Sequence, residues 1–143
     1  MPPGQAPQDV APPQNSSRFI LLGEDDIDDE ELLKEIFLTI DPALSLVFVN
    51  NGRKILTALG TATSLPCLIV LDYNMPELNG AEMLAELEKD PRYDQVPKII
   101  WSTSGAEKYK NLCLGLGARD YITKPSSVRE LTEAARYMLS FCR

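Results

Sequence analysis

Residues 67–80 read CLIVLDYNMPELNG, an apolar run that ends in one carboxylate, Asp72, and then breaks into turn residues. An apolar run without a polar member is typical of a strand that is buried on both faces. Strands of this kind form parallel sheets that carry helices on each side. Ligands bind beyond the carboxyl ends of such strands, so Asp72 marks a candidate site.

The rest of the chain alternates short apolar runs with helical patterns. The predicted strands are the apolar runs at 19–22, 44–49, 67–71, 99–101 and 120–123. The predicted helices are a segment with an apolar stripe at 33–40, a short segment that ends at 59, and segments at 80–90, 107–116 and 127–142. Ser127 and Glu130 have the spacing of a capping box. Because parallel strands need helical crossovers, this alternation predicts a doubly wound α/β fold with a five-stranded parallel sheet and five helices.

The composition predicts one globular domain preceded by an arm. The first 17 residues contain five Pro and three Gln and lack the features of a secretion signal. We therefore interpret 1–17 as a disordered arm and 18–143 as the folded domain. No apolar run approaches the roughly 18 residues that cross a bilayer, which predicts no membrane insertion. A net charge of −7 disfavours direct binding of nucleic acid.

Three cysteines and the absence of histidine limit the chemistry. Cys67, Cys113 and Cys142 are widely spaced and form no C-x-x-C pair, which predicts reduced thiols in a cytoplasmic protein. Cys67 and Cys113 lie in apolar patterns and are expected to be small buried hydrophobes. Without histidine, any reaction must use carboxylates, hydroxyls and amines.

Polar side chains follow four of the five predicted strands. Because the carboxyl ends of parallel strands meet at one edge of a sheet, we expect these side chains to converge. They are Glu24 and Asp25 after the first strand, Asp72 after the third, Ser102 and Thr103 after the fourth, and Lys124 after the fifth. Neighbouring carboxylates repel one another, and a bound cation relieves that repulsion. Oxygen ligands of this type predict Mg²⁺.

In this arrangement Asp72 is predicted to be both a metal ligand and a nucleophile, since a carboxylate can form a covalent aspartyl phosphate. Lys124 would then offset the negative charge of the phosphoryl oxygens, and the Ser102 hydroxyl would donate a hydrogen bond to them. Simpler readings exist for single residues. Asp72 can cap the turn before Pro76, and the acids at 28–31 complement a helix dipole. The functional reading therefore depends on the joint placement of the residues.

From Arg18 to Arg143 the chain resembles the receiver domain of two-component response regulators, which has the flavodoxin-like topology. The resemblance rests on four features in the family's order and at fitting separations. They are GEDD at 23–26, LDYNMPELNG at 71–80, the hydroxyl of Ser102, and DYITKP at 120–125.

The resemblance implies a phosphoacceptor site. Asp72 would accept a phosphoryl group from the phosphohistidine of a sensor histidine kinase, and Lys124 would contact that group. Mg²⁺ would be held by Glu24, Asp25, Asp72 and the backbone carbonyl of Asn74. The domain would count as an enzyme only in catalysing its own phosphorylation and dephosphorylation.

The resemblance also implies a switch. Ser102 matches the switch hydroxyl of the family, and Tyr121 matches its switch aromatic residue. On phosphorylation Ser102 would move inward and Tyr121 would turn toward the core. These movements would reshape the face made by the fourth helix, fifth strand and fifth helix. In the family the bond equivalent to Lys124–Pro125 is usually cis, so a cis bond is expected.

The chain looks similar to small stand-alone regulators that pair with phytochrome-type or hybrid kinases. The apolar residues 138–141 fit either a homodimer or the core.

Other families share parts of this pattern. Haloacid-dehalogenase-type phosphatases need a second Asp two residues after the nucleophile, where this chain has Asn74. Flavodoxin-type cofactor binding needs a cradle of Ser, Thr or Gly after the first strand, where this chain has carboxylates. The acids at 25–31 lack the glycine of an EF-hand loop. The remaining alternative is a degenerate receiver that acts as a docking module without phosphorylation.

Overall fold

The computed structural model describes residues 19–142, which form a sheet of five parallel strands between two layers of helices. The predicted alternation of strands and helices is confirmed. In chain order the elements are β1 (Phe19–Gly23), α1 (Ile27–Ile40), β2 (Ser45–Val49), α2 (Gly52–Thr61), β3 (Leu68–Asp72), α3 (Gly80–Glu88), a 3₁₀ turn (Pro91–Tyr93), β4 (Lys98–Ser102), α4 (Glu107–Gly115), β5 (Asp120–Thr123) and α5 (Val128–Leu139). The predicted arm at 1–17 lies outside the described residues. Between residues 19 and 142, no helix has the length and apolar character needed to cross a bilayer.

Burial on both faces explains the continuous apolar sequences of β1, β3 and β4. Successive side chains of a strand point to opposite faces of the sheet. Phe19 and Leu21 therefore pack in the core formed with α2, α3 and α4, whereas Ile20 and Leu22 pack in the core formed with α1 and α5. Each central strand thus contributes to both cores, and a polar residue at any of these positions would be buried.

The strand order places a crevice beside β1 and β3. The strands lie in the order β2-β1-β3-β4-β5, so the chain moves outward from β1 to β2 and then returns to the opposite side of β1. A crevice opens beyond the carboxyl ends of the strands where the order reverses in this way. Glu24 follows β1 and Asp72 ends β3, so the fold brings both residues to this crevice.

Side-chain caps fix the starts of the described α-helices other than α4. At the predicted capping box, the side chain of Ser127 accepts a hydrogen bond from the backbone N–H of Glu130 at 3.1 Å. A complete reciprocal box lies elsewhere, at Asn79 and Glu82, where each side chain accepts from the other residue's N–H at 2.8 Å. The sequence analysis missed this box, which fixes the start of α3 after the turn that carries Asp72.

The cysteines correct one prediction. Cys67 and Cys142 form a disulfide that joins the residue before β3 to the end of the chain after α5. The prediction of three reduced thiols is therefore wrong for this pair, because the fold brings their Cα atoms to 4.8 Å although they are 75 positions apart. Cys113 is a free, fully buried thiol, as predicted, and burial raises its pKa to about 11.

Candidate functional site

Three carboxylates meet at the crevice. Asp72 and Glu24 are buried, with 4% and 1% of their surfaces exposed, and Asp25 is exposed. One carboxylate oxygen from each lies within 4.8 Å of the others. The structure thus brings together the three acids that the sequence analysis had grouped from the ends of different strands.

Glu24 is a buried acid with incomplete hydrogen bonding. Its Oε2 accepts from the backbone N–H of Asp26 at 3.1 Å, but its Oε1 has no hydrogen-bond partner among the described residues. Burial first, and then the neighbouring Asp72, raise the pKa of Glu24 to about 8, against the opposing effects of the Asp26 N–H and Lys124. A carboxyl group in this state ionises more readily when positive charge is added beside it.

The donor set fits a divalent cation. Carboxylate oxygens are hard ligands of the kind that Mg²⁺ and similar ions take, and the orphaned oxygen of Glu24 lies among them. The predicted backbone ligand, Asn74, belongs to the same turn, where its N–H donates to Asp72 Oδ1 at 3.1 Å. These donors do not select Mg²⁺ over other ions of similar chemistry.

Lys124 supplies the positive charge of the site. Its Nζ donates to Asp72 Oδ2 at 2.9 Å and to Asp29 Oδ2 at 3.0 Å, and it lies 3.6 Å from Glu24 Oε1. Burial lowers the pKa of Lys124, but the hydrogen bonds to Asp72 and Asp29 outweigh that effect, so the pKa lies above its ordinary value. Lys124 therefore stays protonated and offsets part of the negative charge around Asp72.

Asp29 is a site residue that the sequence analysis missed. The acids at 28–31 were interpreted as complements of the helix dipole, yet the side chain of Asp29 contacts Lys124. A signal was present in the sequence, because Asp29, Leu33 and Ile36 have the i, i+4, i+7 spacing of one helix face. Leu33 and Ile36 are buried against the sheet. Asp29 lies on the same face of α1, one turn before Leu33, and therefore points toward the crevice.

Ser102 and Tyr121, the predicted switch residues, both contact Ser104 in the loop after β4. Ser102 is fully buried at the end of β4, and its Oγ accepts from the N–H of Ser104 at 3.1 Å. The Tyr121 hydroxyl donates to the carbonyl of Ser104 at 2.7 Å, and only 6% of Tyr121 is exposed. Tyr121 is therefore already turned toward the core in this structure.

The expected cis bond is absent. No peptide bond within residues 19–142 is cis, so the Lys124–Pro125 bond is trans, and the expectation drawn from the resemblance is wrong for this structure. The trans isomer of an X–Pro bond is favoured by roughly 0.5–1 kcal/mol. With this bond trans, Lys124 Nζ contacts Asp72 Oδ2 at 2.9 Å.

Sequence comparisons point to one family. The family described as "Response regulator receiver domain" matches residues 20–136. The "Uncharacterized 14.6 kDa protein in sodA1 3'region" of Leptolyngbya boryana is 31% identical over 123 residues, which is 85% of this chain and 91% of that protein. The response regulator Rcp1 of a Synechocystis strain is 28% identical over 132 residues, which is 89% of this chain and 90% of that protein.

Structure comparisons agree. The crystal structure of the phosphorylated cyanobacterial phytochrome response regulator RcpA has a TM-score of 0.81 and 29% identity, and covers 89% of this chain and 94% of its own. The Mn(2+)-bound form of Rcp1 has a TM-score of 0.77 and 28% identity, and covers 87% of this chain and 93% of its own. Both relatives match over nearly the whole described sheet and its helices.

Proposed function

The chain belongs to the response regulator receiver domain family of two-component systems, and from that premise we propose that Asp72 accepts a phosphoryl group from the phosphohistidine of a sensor histidine kinase. The domain then signals through protein contacts that depend on phosphorylation. One observation carries the proposal: Asp72 is buried at the end of β3, between an acidic cluster and Lys124. A carboxylate that served only to cap a turn would need neither neighbour.

The chain's own residues supply the parts of the transfer. An oxygen of Asp72 forms a bond to phosphorus while the bond between phosphorus and the imidazole nitrogen breaks, and the imidazole leaves with that electron pair. The N–H of Asn74 orients the carboxylate of Asp72. Lys124 and the Ser102 hydroxyl donate to the phosphoryl oxygens and offset their charge. The same groups act when water attacks phosphorus and the bond between phosphorus and the Asp72 oxygen breaks, which releases inorganic phosphate and restores the carboxylate. The domain therefore catalyses only its own phosphorylation and dephosphorylation.

Glu24, Asp25, Asp72 and the backbone carbonyl of Asn74 would hold Mg²⁺. When bound, the ion supplies positive charge that offsets the charge of the phosphoryl oxygens. The crowding of three carboxylates within 4.8 Å and the orphaned oxygen of Glu24 support this assignment. The relative Rcp1 has a crystal structure in an Mn(2+)-bound form, which supports a divalent cation as a ligand of this chain.

A phytochrome-type sensor kinase is the phosphoryl donor that the likeness to RcpA supports, and a hybrid kinase is the alternative. We propose a cytoplasmic location on the family assignment alone, because the disulfide between Cys67 and Cys142 removes the reduced thiols as a ground for it. The output would act through the face made by α4, β5 and α5. The hydrogen bond from Tyr121 to Ser104 supports this choice, because it links β5 to the loop that also contacts Ser102.

Intact-protein mass spectrometry tests the proposal. The protein is incubated with acetyl phosphate and Mg²⁺, beside Asp72→Asn and beside a sample treated with EDTA. The expected result is one added phosphoryl group that is absent from both controls. If no adduct forms and beryllium fluoride leaves the fluorescence of Trp101 unchanged, the protein is a docking module that works without phosphorylation.

A further inference from the structure

Trp101, the single tryptophan of the chain, lies beside the proposed phosphoacceptor. It pairs with Asp72 across β3 and β4, and its carbonyl accepts from the N–H of Tyr73 at 3.0 Å. Its side chain is 2% exposed, and Lys124 Nζ lies 4.7 Å from the centroid of its ring. A cation within about 6 Å of an aromatic centroid is attracted to the ring face.

The unpaired indole N–H makes tryptophan a costly choice for packing alone. The Nε1 of Trp101 is buried and has no hydrogen-bond acceptor among the described residues. A buried donor without a partner destabilises a fold, whereas leucine or phenylalanine would fill an apolar site without one. What tryptophan offers in exchange is the ring that attracts cations most strongly. Here that ring faces the ammonium of Lys124.

The indole face of Trp101 attracts the ammonium of Lys124 in a different way from the neighbouring carboxylates. The carboxylates of Asp72 and Asp29 each accept an N–H of the ammonium, which has three to give. Every such bond must be released before that N–H can donate to a phosphoryl oxygen. An aromatic face attracts the charge of the ammonium without taking up an N–H donor through a directed bond to oxygen.

We propose that Trp101 is a positioning residue for phosphoryl transfer, because its indole face holds the ammonium of Lys124 beside Asp72 and leaves the N–H donors for the incoming phosphoryl oxygens. The inference rests on the proposed function of Asp72 as phosphoacceptor. It assigns Trp101 a role through Lys124 and no contact with the phosphoryl group itself.

Fluorinated tryptophan tests this role without changing the shape of the core. Because Trp101 is the only tryptophan, growth on 5-fluorotryptophan or a difluorinated analogue alters this residue alone. Fluorine withdraws electron density from the ring face and weakens its attraction for a cation. The rate of phosphorylation by acetyl phosphate with Mg²⁺ is followed by intact mass. We expect the rate to fall in steps with the number of fluorines, and by about 2- to 30-fold on complete loss of the face in Trp101→Leu.

A Lys124→Met background provides the matched control. If the ring acts through the ammonium, fluorination will leave the residual rate of Lys124→Met unchanged. A second readout needs neither metal nor phosphate. In EDTA, the ¹⁹F resonance of the single fluorotryptophan should shift when Lys124→Met removes the charge above it.

The outcomes separate the two ideas. Equal phosphorylation rates in natural and fluorinated protein, or a fluorine effect of the same size in Lys124→Met, would overturn the role of Trp101 and leave Asp72 as the acceptor. An unmodified chain that takes up no phosphoryl group would overturn the proposed function and the inference together. A graded loss of rate that depends on Lys124, at an unchanged melting temperature, would support the inference.

Discussion

Lys124 offsets the negative charge of the carboxylates that meet at the site. Asp72, Asp29 and Glu24 all lie within 3.6 Å of its Nζ, and 13% of the lysine side chain is exposed. The strength of each contact therefore decides how readily the ammonium can turn to a phosphoryl group. Two changes at carboxylates around Lys124 give measurable predictions.

Asp29→Asn should raise the rate of phosphorylation by acetyl phosphate about two- to fivefold, the size expected for an ion pair that is partly exposed at Asp29. The change releases one N–H of Lys124 and removes a negative charge that repels the donor. Asp28→Asn is the matched control, because Asp28 lies in the same helical turn but is exposed. Equal rates in the two variants would show that net charge, and not the contact with Lys124, sets the effect.

Glu24→Gln should stabilise the protein in EDTA and abolish stabilisation by Mg²⁺. A buried amide can donate to Asp72 at any pH, whereas Glu24 at neutral pH must first take up a proton that the unfolded chain does not hold, so the free energy of unfolding should rise by about 1–3 kcal/mol. Urea unfolding at neutral pH measures both effects. A variant that is less stable than the natural protein in EDTA would contradict the interpretation of Glu24 as a destabilising buried acid.

The pKa of Glu24 gives this prediction a pH dependence. The folded value of about 8 lies above the ordinary value of 4.5, so the folded state binds more protons between these two values. Stability in EDTA should therefore fall as pH rises through that window, and Glu24→Gln should flatten the decline. A natural protein whose stability in EDTA does not fall over this window would refute the assignment.

At the residue scale, the sequence predicted the groups that stand at strand ends and missed those that depend on side-chain direction. Asp72 and Lys124 follow apolar runs, so their positions could be inferred. Asp29 and Trp101 join the site only because a helix face and a strand face point toward Lys124. The isomer of the Lys124–Pro125 bond also could not be read from the sequence, because the same two residues allow either form.

At the scale of elements, the disulfide ties the start of β3 to the end of α5. Apolar periodicity predicted the strands and helices themselves, because both faces of each central strand and the inner face of each helix must be buried. It held no information about the approach of Cys67 to Cys142, which depends on how α5 packs on the sheet. The complete capping box at Asn79 and Glu82 was readable from its spacing but was overlooked.

Cys67→Ser should lower the free energy of unfolding by about 2–4 kcal/mol without reductant, because the bond closes a long loop in the unfolded chain. Dithiothreitol should bring the natural protein to the same stability as the variant. The denatured, unreduced natural protein should show one reactive thiol, Cys113. Three reactive thiols in that sample would contradict the disulfide.

At the scale of the whole molecule, the strand order creates the site. The residue pattern predicted a doubly wound sheet and the resemblance implied the flavodoxin-like topology, which the strand order β2-β1-β3-β4-β5 confirms. That order sets Glu24 and Asp25 beside Asp72, and carries Lys124 to them from the edge strand β5.

Because the arm predicted at residues 1–17 carries none of the proposed site residues, its deletion should leave the phosphorylation rate within about twofold and the free energy of unfolding within about 0.5 kcal/mol of the natural values. Intact mass and urea unfolding measure the two quantities on the chain that begins at Arg18. A larger loss of rate at unchanged stability would assign the arm a part in the reaction.

The most direct test of the central claim locates the phosphoryl group on the natural chain. After reaction with acetyl phosphate and Mg²⁺, borohydride reduces an aspartyl phosphate to homoserine, and peptide mass spectrometry identifies the altered position. The account predicts homoserine at position 72 and at no other aspartate. Homoserine at Asp25 or another acid, with position 72 unchanged, would contradict it.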